Sequence, residues 1–114
     1  MAIPPAVRLT AEHAISEYCV GRLRPGLEHL LKITYRFEGN NAYLVERRPN
    51  YRRKGPWTQM DIAKFRYMVG RGEWVLYWSD SNERWHRYEG RRPARTLQTL
   101  LREVDADPTG IFWG

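Results

Sequence analysis

QMDIAKFRYMVGRGEWVLYWSDSNERWHRYE, residues 59–89, holds three runs separated by two turn signals. The runs QMDIAKFRYMV, EWVLYWS and WHRYE are rich in aromatic and β-branched residues and alternate in polarity, the period-two pattern of strands. Gly70-Arg71-Gly72 and Ser79-Asp80-Ser81-Asn82-Glu83-Arg84 supply the turns between them. Three consecutive antiparallel strands are the simplest reading, and their pairing decides which side of the sheet carries the tryptophans.

A turn symmetric about Ser81 and Asn82 pairs Trp78 with Trp85, Tyr77 with His86 and Val75 with Tyr88. One face then holds Trp74, Leu76, Trp78, Trp85 and Arg87, and the other Val75, Tyr77, His86 and Tyr88. A three-residue loop with Gly72 left-handed pairs Val69 with Glu73, so Lys64, Arg66 and Met68 join the tryptophans. A two-residue turn shifts the strand by one position and moves Lys64 and Arg66 to the tyrosine face, because one step exchanges faces. Either register leaves cations beside aromatic rings.

LLKITYRFE (30–38) alternates, with Leu31, Ile33, Tyr35 and Phe37 on one side. Gly39-Asn40-Asn41 turns it into a second strand, AYLVERR (42–48), as a hairpin. The segment 46–57, ERRPNYRRKGPW, has two prolines and Gly55 and reads as a loop or irregular edge. Thr10 can cap a first helix, with Leu9 and Ala14 as a staple, that ends by Arg24 ahead of Pro25-Gly26. Thr96 can cap a last helix whose Leu97, Leu100, Leu101 and Val104 form one stripe, with Asp107 and Pro108 beyond its end. Ile111, Phe112 and Trp113 are too apolar to hang free and are expected to dock on the sheet. The expected fold is α+β: helix, five-stranded antiparallel meander sheet, helix, with a docked C-terminal tail, in a single domain over residues 1–114.

Composition supports a folded chain, since 42% hydrophobic and 28% charged residues are globular proportions. A net charge of +6 and a pI near 9.8 favour polyanionic partners. Lysine occurs only at positions 32, 54 and 64, so the charge is mostly arginine, the better fork for phosphate. Cys19 is the sole cysteine, which excludes an intrachain disulfide and a multi-cysteine zinc site and suits a reducing compartment. MAIPPAVRLT does not read as a signal peptide and no apolar run reaches the roughly 20 residues of a membrane span, so no membrane partner and a cytoplasmic location are expected.

Candidate chemistry is sparse. His86 lies near Asp80, Glu83 and Glu89, but that spacing brings no carboxylate pair onto it in the expected hairpin. His13 and His29 have no metal-ligand spacing, and Asp61, Lys64 and Glu46 only loosely echo a nuclease site. No catalytic residue, cofactor or metal is assigned, and a small-molecule substrate is not expected. The densest positive segment offers Arg47, Arg48, Arg52, Arg53 and Lys54 for phosphates, with Tyr51 and Trp57 among them as stacking rings. Lys64, Arg66 and Arg87 on the sheet complete the candidate nucleic-acid-binding set. The competing structural explanation is that the rings are core and the basic segment is a charged edge guarded against aggregation.

The runs WVLYW (74–78), WHRY (85–88) and DPTGIFWG (107–114), with YRFEG (35–39) and ERRP (46–49) upstream, resemble the bacterial family called domain of unknown function 3024. That resemblance covers nearly the whole chain and implies no activity, cofactor or site residue. The leading functional expectation is binding of single-stranded or structured RNA or DNA. A protein-interaction or homodimerisation module using the aromatic sheet face is second, and a small enzyme third.

Overall fold

The computed structural model describes residues 2–22, 26, 31–50 and 55–114. Helix α1 (Pro5–Arg22) is followed by strands β1 (Lys32–Glu38), β2 (Asn41–Asn50), β3 (Gly55–Met68), β4 (Glu73–Ser79) and β5 (Trp85–Arg87), then helix α2 (Leu97–Ala106). The strands form one antiparallel sheet in the order β1-β2-β3-β4-β5, the expected α+β meander.

Helix α1 starts earlier than the Thr10 cap predicted. Pro5 stands first, where a missing N–H costs nothing and the fixed φ favours the helix. Thr10 lies inside it and donates its hydroxyl to the Ala6 carbonyl at 3.1 Å, while Leu9 is 72% exposed and staples nothing. Ala11, Ile15 and Cys19 recur every four residues and form the buried stripe. Burial pushes the Cys19 thiol up to about 11, so it behaves as a small hydrophobe. In α2 the expected cap holds, with Thr99 N donating to Thr96 Oγ1 at 3.4 Å. Leu97, Leu100, Leu101 and Val104 are all buried, each contributing roughly 1.5–3 kcal/mol.

Both helices pack on one sheet face, against Ile33, Ala42, Leu44, Ala63, Phe65, Tyr67, Trp74 and Leu76. The β3–β4 pairing is Met68 with Glu73, closed by the four-residue loop Val69–Gly72, in which Gly72 has φ 65° and Gly72 N donates to the Met68 carbonyl at 2.9 Å. One residue more in the loop than the preferred three-residue reading places Tyr67 opposite Trp74 and Phe65 opposite Leu76. The β4–β5 register is also shifted: Trp78 pairs with His86 and Ser79 with Trp85, replacing the Trp78–Trp85 pair. The physical reason is the turn. Asp80 Oδ1 accepts from Asn82 N and Arg84 N at 2.8 and 3.0 Å, and Glu83 is drawn into the turn with φ 61°.

Residues 46–48 lie in β2 as the strand reading of 42–48 has it, and residues 49–50 and 55–57, expected as a loop or irregular edge, also belong to strands: β2 continues through Pro49 to Asn50 and β3 begins at Gly55, with a register irregularity between Arg48 and Asn50 that accommodates the proline. Residues 51–54 lie outside the described residues. The tail docks through Asp107, which ends α2 with φ 42° and whose carboxylate accepts from Phe112 N at 3.0 Å and Trp113 N at 2.8 Å. Phe112 packs on Tyr88, and the Arg22 guanidinium sits 4.1 Å from the Trp113 ring centre. Ile111, expected to dock, is instead 37% exposed.

Candidate functional site

The sheet face away from the helices has its own composition, and a bulge sets it. Leu44 pairs with Ala63 but Val45 with Asp61, so Ile62 is an extra residue on β3. Without it, Asp61, Gln59 and Trp57 would share the face of Ala63 and Phe65, because side chains alternate with period two. With it, they join Lys64 and Arg66 on the open face, while Ile62 itself is buried in the core.

Across that face runs one row of direct cross-strand neighbours: Arg36 opposite Tyr43, Tyr43 opposite Lys64, Lys64 opposite Tyr77, and Tyr77 opposite Arg87. Cation and ring alternate over all five strands, about 19 Å at the usual strand spacing. Arg36 lies 4.2 Å from the Tyr43 ring centre, and Lys64 Nζ lies 5.1 Å from Tyr77 and 5.9 Å from Trp85. Trp85 leans on Tyr43 at 5.9 Å. Lys32 Nζ stands 4.7 Å from Trp57, which extends the same pattern along β1 and β3.

The charges are not equally available. Arg36 forms a two-pronged pair with Asp61, at 2.6 and 2.8 Å, and also reaches Glu38 at 3.4 Å, so its fork is already filled. The Asp61 hydrogen bond is the main reason the Arg36 guanidinium holds its proton even more tightly than usual. Lys32, Arg66 and Arg87 are exposed, Lys64 and Arg47 half-buried, and none of them has an ion pair among the described residues. Arg47 Nε is buried without a hydrogen-bond partner among the described residues, an uncompensated donor on this face. Burial, with Glu38 nearby, raises the Tyr43 hydroxyl, so the ring stays neutral at ordinary pH.

Of the residues predicted from sequence, Arg47, Trp57, Lys64, Arg66 and Arg87 therefore share one face. Arg48 does not: it lies on the opposite side of β2, with its Nε 2.7 Å from Glu46 Oε1. Tyr51, Arg52, Arg53 and Lys54 lie outside the described residues. Sequence reasoning missed Lys32 and Tyr43 as members of this face, and it left Tyr77 and Trp85 out of the candidate set although one register placed Trp85, and the other Tyr77, beside Lys64 and Arg66. The alternation of Lys32 against Ile33 and of Tyr43 against Leu44 was the available signal for two of them. The tryptophans divide, Trp74 being core at 1% exposure while Trp57 and Trp85 belong to the open face.

Behind this face, His86 stacks on Trp78 at 4.7 Å and its Nε2 is 2.7 Å from Asp80 Oδ2. That hydrogen bond, followed by the one from Arg84 N, holds the Asp80 carboxyl below its usual range. The same carboxylate organises the β4–β5 turn, so its partnership with His86 is structural. Among the described residues no group of three or more His, Cys, Asp or Glu side chains could hold a metal ion. No described helix is long and apolar enough to cross a membrane.

The model of the domain of unknown function DUF3024 matches residues 3–114. The chain belongs to this family. No curated protein and no solved structure matches it. The aromatic blocks of this DUF3024 domain divide between two tasks: Trp74, Tyr88 and Phe112 close the core, while Tyr43, Tyr77 and Trp85 line the open face.

Proposed function

We propose that this DUF3024 domain binds single-stranded nucleic acid on the sheet face opposite its helices. The observation that carries this reading is the five-strand row Arg36-Tyr43-Lys64-Tyr77-Arg87, flanked by Trp57 and Trp85. The half-exposed rings of Trp57, Tyr77 and Trp85 suit base stacking, which is worth about 1–3 kcal/mol per base, with buried Tyr43 packed against Trp85, and the neighbouring Lys64 and Arg87 suit the phosphates that follow. A sheet face with rings at its centre suits unpaired bases, which present their flat faces, better than duplex, whose bases are already stacked. The net charge of +6 acts in the same direction.

Titration of a labelled single-stranded RNA or DNA at low salt, followed by anisotropy and by intrinsic tryptophan fluorescence, tests the proposal. Binding with quenching that is reduced in Trp85→Leu supports it. Absence of binding at low salt sinks it, and a sedimentation profile of a stable dimer that buries Tyr77 and Trp85 would favour the homodimer reading instead.

A further inference from the structure

At one end of the open face, β3 runs on past the end of β4, and the space between residues 59–62 and the β4–β5 turn is a cleft of ≈ 570 Å³. That lies within the roughly 300–1,000 Å³ of small-ligand sites. Trp85 lines it from the cation-ring face, and Phe112, Ile111 and Met60 line it with apolar surface. Met60 and Ile111 are 62% and 37% exposed, so the cleft holds two large hydrophobic side chains that the fold itself leaves uncovered.

The polar lining has one sign. Asp61, Asp80 and Glu83 contribute carboxylates and no lysine or arginine lines the cleft, in contrast to the cationic row beside it. Asp61 is occupied by Arg36, and Asp80 by His86 and two backbone N–H groups. Glu83 is exposed and has no ion pair among the described residues. A phosphate would be repelled here. A flat apolar group with hydrogen-bond donors on its edge would be accepted, and guanine alone among the bases presents an N–H and an adjacent amino group that one carboxylate can take as a pair.

We infer that this cleft is a base pocket that takes an unpaired guanine against Trp85 and reads its donor edge with Glu83, while the phosphates of the same strand follow the cations of the open face. The inference rests on the strand-binding reading and adds a base preference to it. Glu83 is a specificity residue and Trp85 a stacking wall.

The test uses an all-thymidine strand of roughly ten nucleotides, within the usual site size, and versions with a central dG, dA or inosine, which keeps the N–H but lacks the amino group. The strand with dG should bind about tenfold or more tighter than all-thymidine, the effect expected of one two-pronged base contact. Inosine should lose most of that gain, and Glu83→Gln should abolish the dG preference while leaving all-thymidine affinity at least as high as before. Equal binding of dG and all-thymidine strands, or a dG preference that survives Glu83→Gln, overturns the guanine pocket and leaves strand binding standing. No binding of any strand overturns both.

Discussion

Replacing Lys64, Arg66 and Arg87 together by glutamine should change the salt dependence of strand binding by a calculable amount. Five open-face cations have no carboxylate partner among the described residues: Lys32, Arg47, Lys64, Arg66 and Arg87. If each meets one phosphate, log K falls against log salt with a slope of about −3.5, taking roughly −0.7 per contact for single strands. Between 50 and 200 mM salt that is about a hundredfold loss of affinity. The triple variant keeps two contacts, so its slope should be about −1.4 and its loss about sevenfold. Arg36 is left out of the count because Asp61 fills its fork. Asp61→Asn should therefore free a sixth contact and steepen the slope to about −4.2. Anisotropy titrations of one labelled strand at four or more salt concentrations give these slopes, with thermal unfolding as a control for folding. A triple-variant slope equal to that of the parent protein would refute the assignment of these cations to phosphates. An unchanged slope in Asp61→Asn would refute the argument that Arg36 is held out of the site.

Glu83→Gly should raise stability by roughly 0.5–1 kcal/mol, because a left-handed non-glycine residue costs about 1–2 kcal/mol and glycine returns part of that as lost entropy. Thermal unfolding would show a rise of a few degrees, and the same variant should lose any dG preference. Asp107→Ala should destabilise by about 2–4 kcal/mol, since it deletes two charge-assisted bonds to the tail and keeps the φ of 42°. Asp107→Gly relieves the backbone and should cost less, so equal losses in denaturant titration would refute the tail-staple argument. Stability should also fall in alkali. Burial is the first cause that raises Tyr18 and Tyr88 from 10.0 to about 12 and Cys19 from 9.0 to about 11, aided at Tyr18 by Asp105 and at Tyr88 by Glu103. These groups hold their protons more tightly folded than unfolded, so their contribution is complete below about pH 9 and is lost as pH rises through 11 to 12. Unfolding free energies measured across that window should decline, and less steeply in Tyr88→Phe.

The strand alternation of 31–37 and the Leu97-Leu100-Leu101-Val104 stripe were legible because each depends on local periodicity alone. The start of α1 was misread because Thr10 has the chemistry of a cap, whereas Pro5, five residues earlier, carries the quieter signal of a first helical position. The registers were not legible for a different reason. A Gly-Arg-Gly turn fits a loop of two, three or four residues, and only tertiary packing of Tyr67 on Trp74, at 5.0 Å between ring centres, separates them. The residues of the site were legible as types and not as a group. Lys64, Arg66 and Arg87 were recognisable as cations among rings, but their union with Trp57 passes through a bulge at Ile62 with no glycine or proline to mark it.

That bulge ties the fold to the proposed site. Ile62 can be buried while Asp61 and Lys64, three residues apart, face the same way only because one extra residue breaks the strict alternation. On an unbroken strand, Asp61 and Trp57 would be driven towards the helices, and Arg36 would lose the carboxylate that holds it beside Tyr43. The β3–β4 register, set by the Val69–Gly72 loop, keeps Trp74, Leu76 and Phe65 in the core and Lys64, Tyr77 and Arg87 in one row on the open face, so a register that exposed Trp74 would bury the cations. Burying an unpaired lysine or arginine costs several kcal/mol, comparable to the whole margin of a small domain. Selection of the folded register by that cost and assembly of the cation-ring row are therefore one event, and the opposite face is cationic because the core face cannot be.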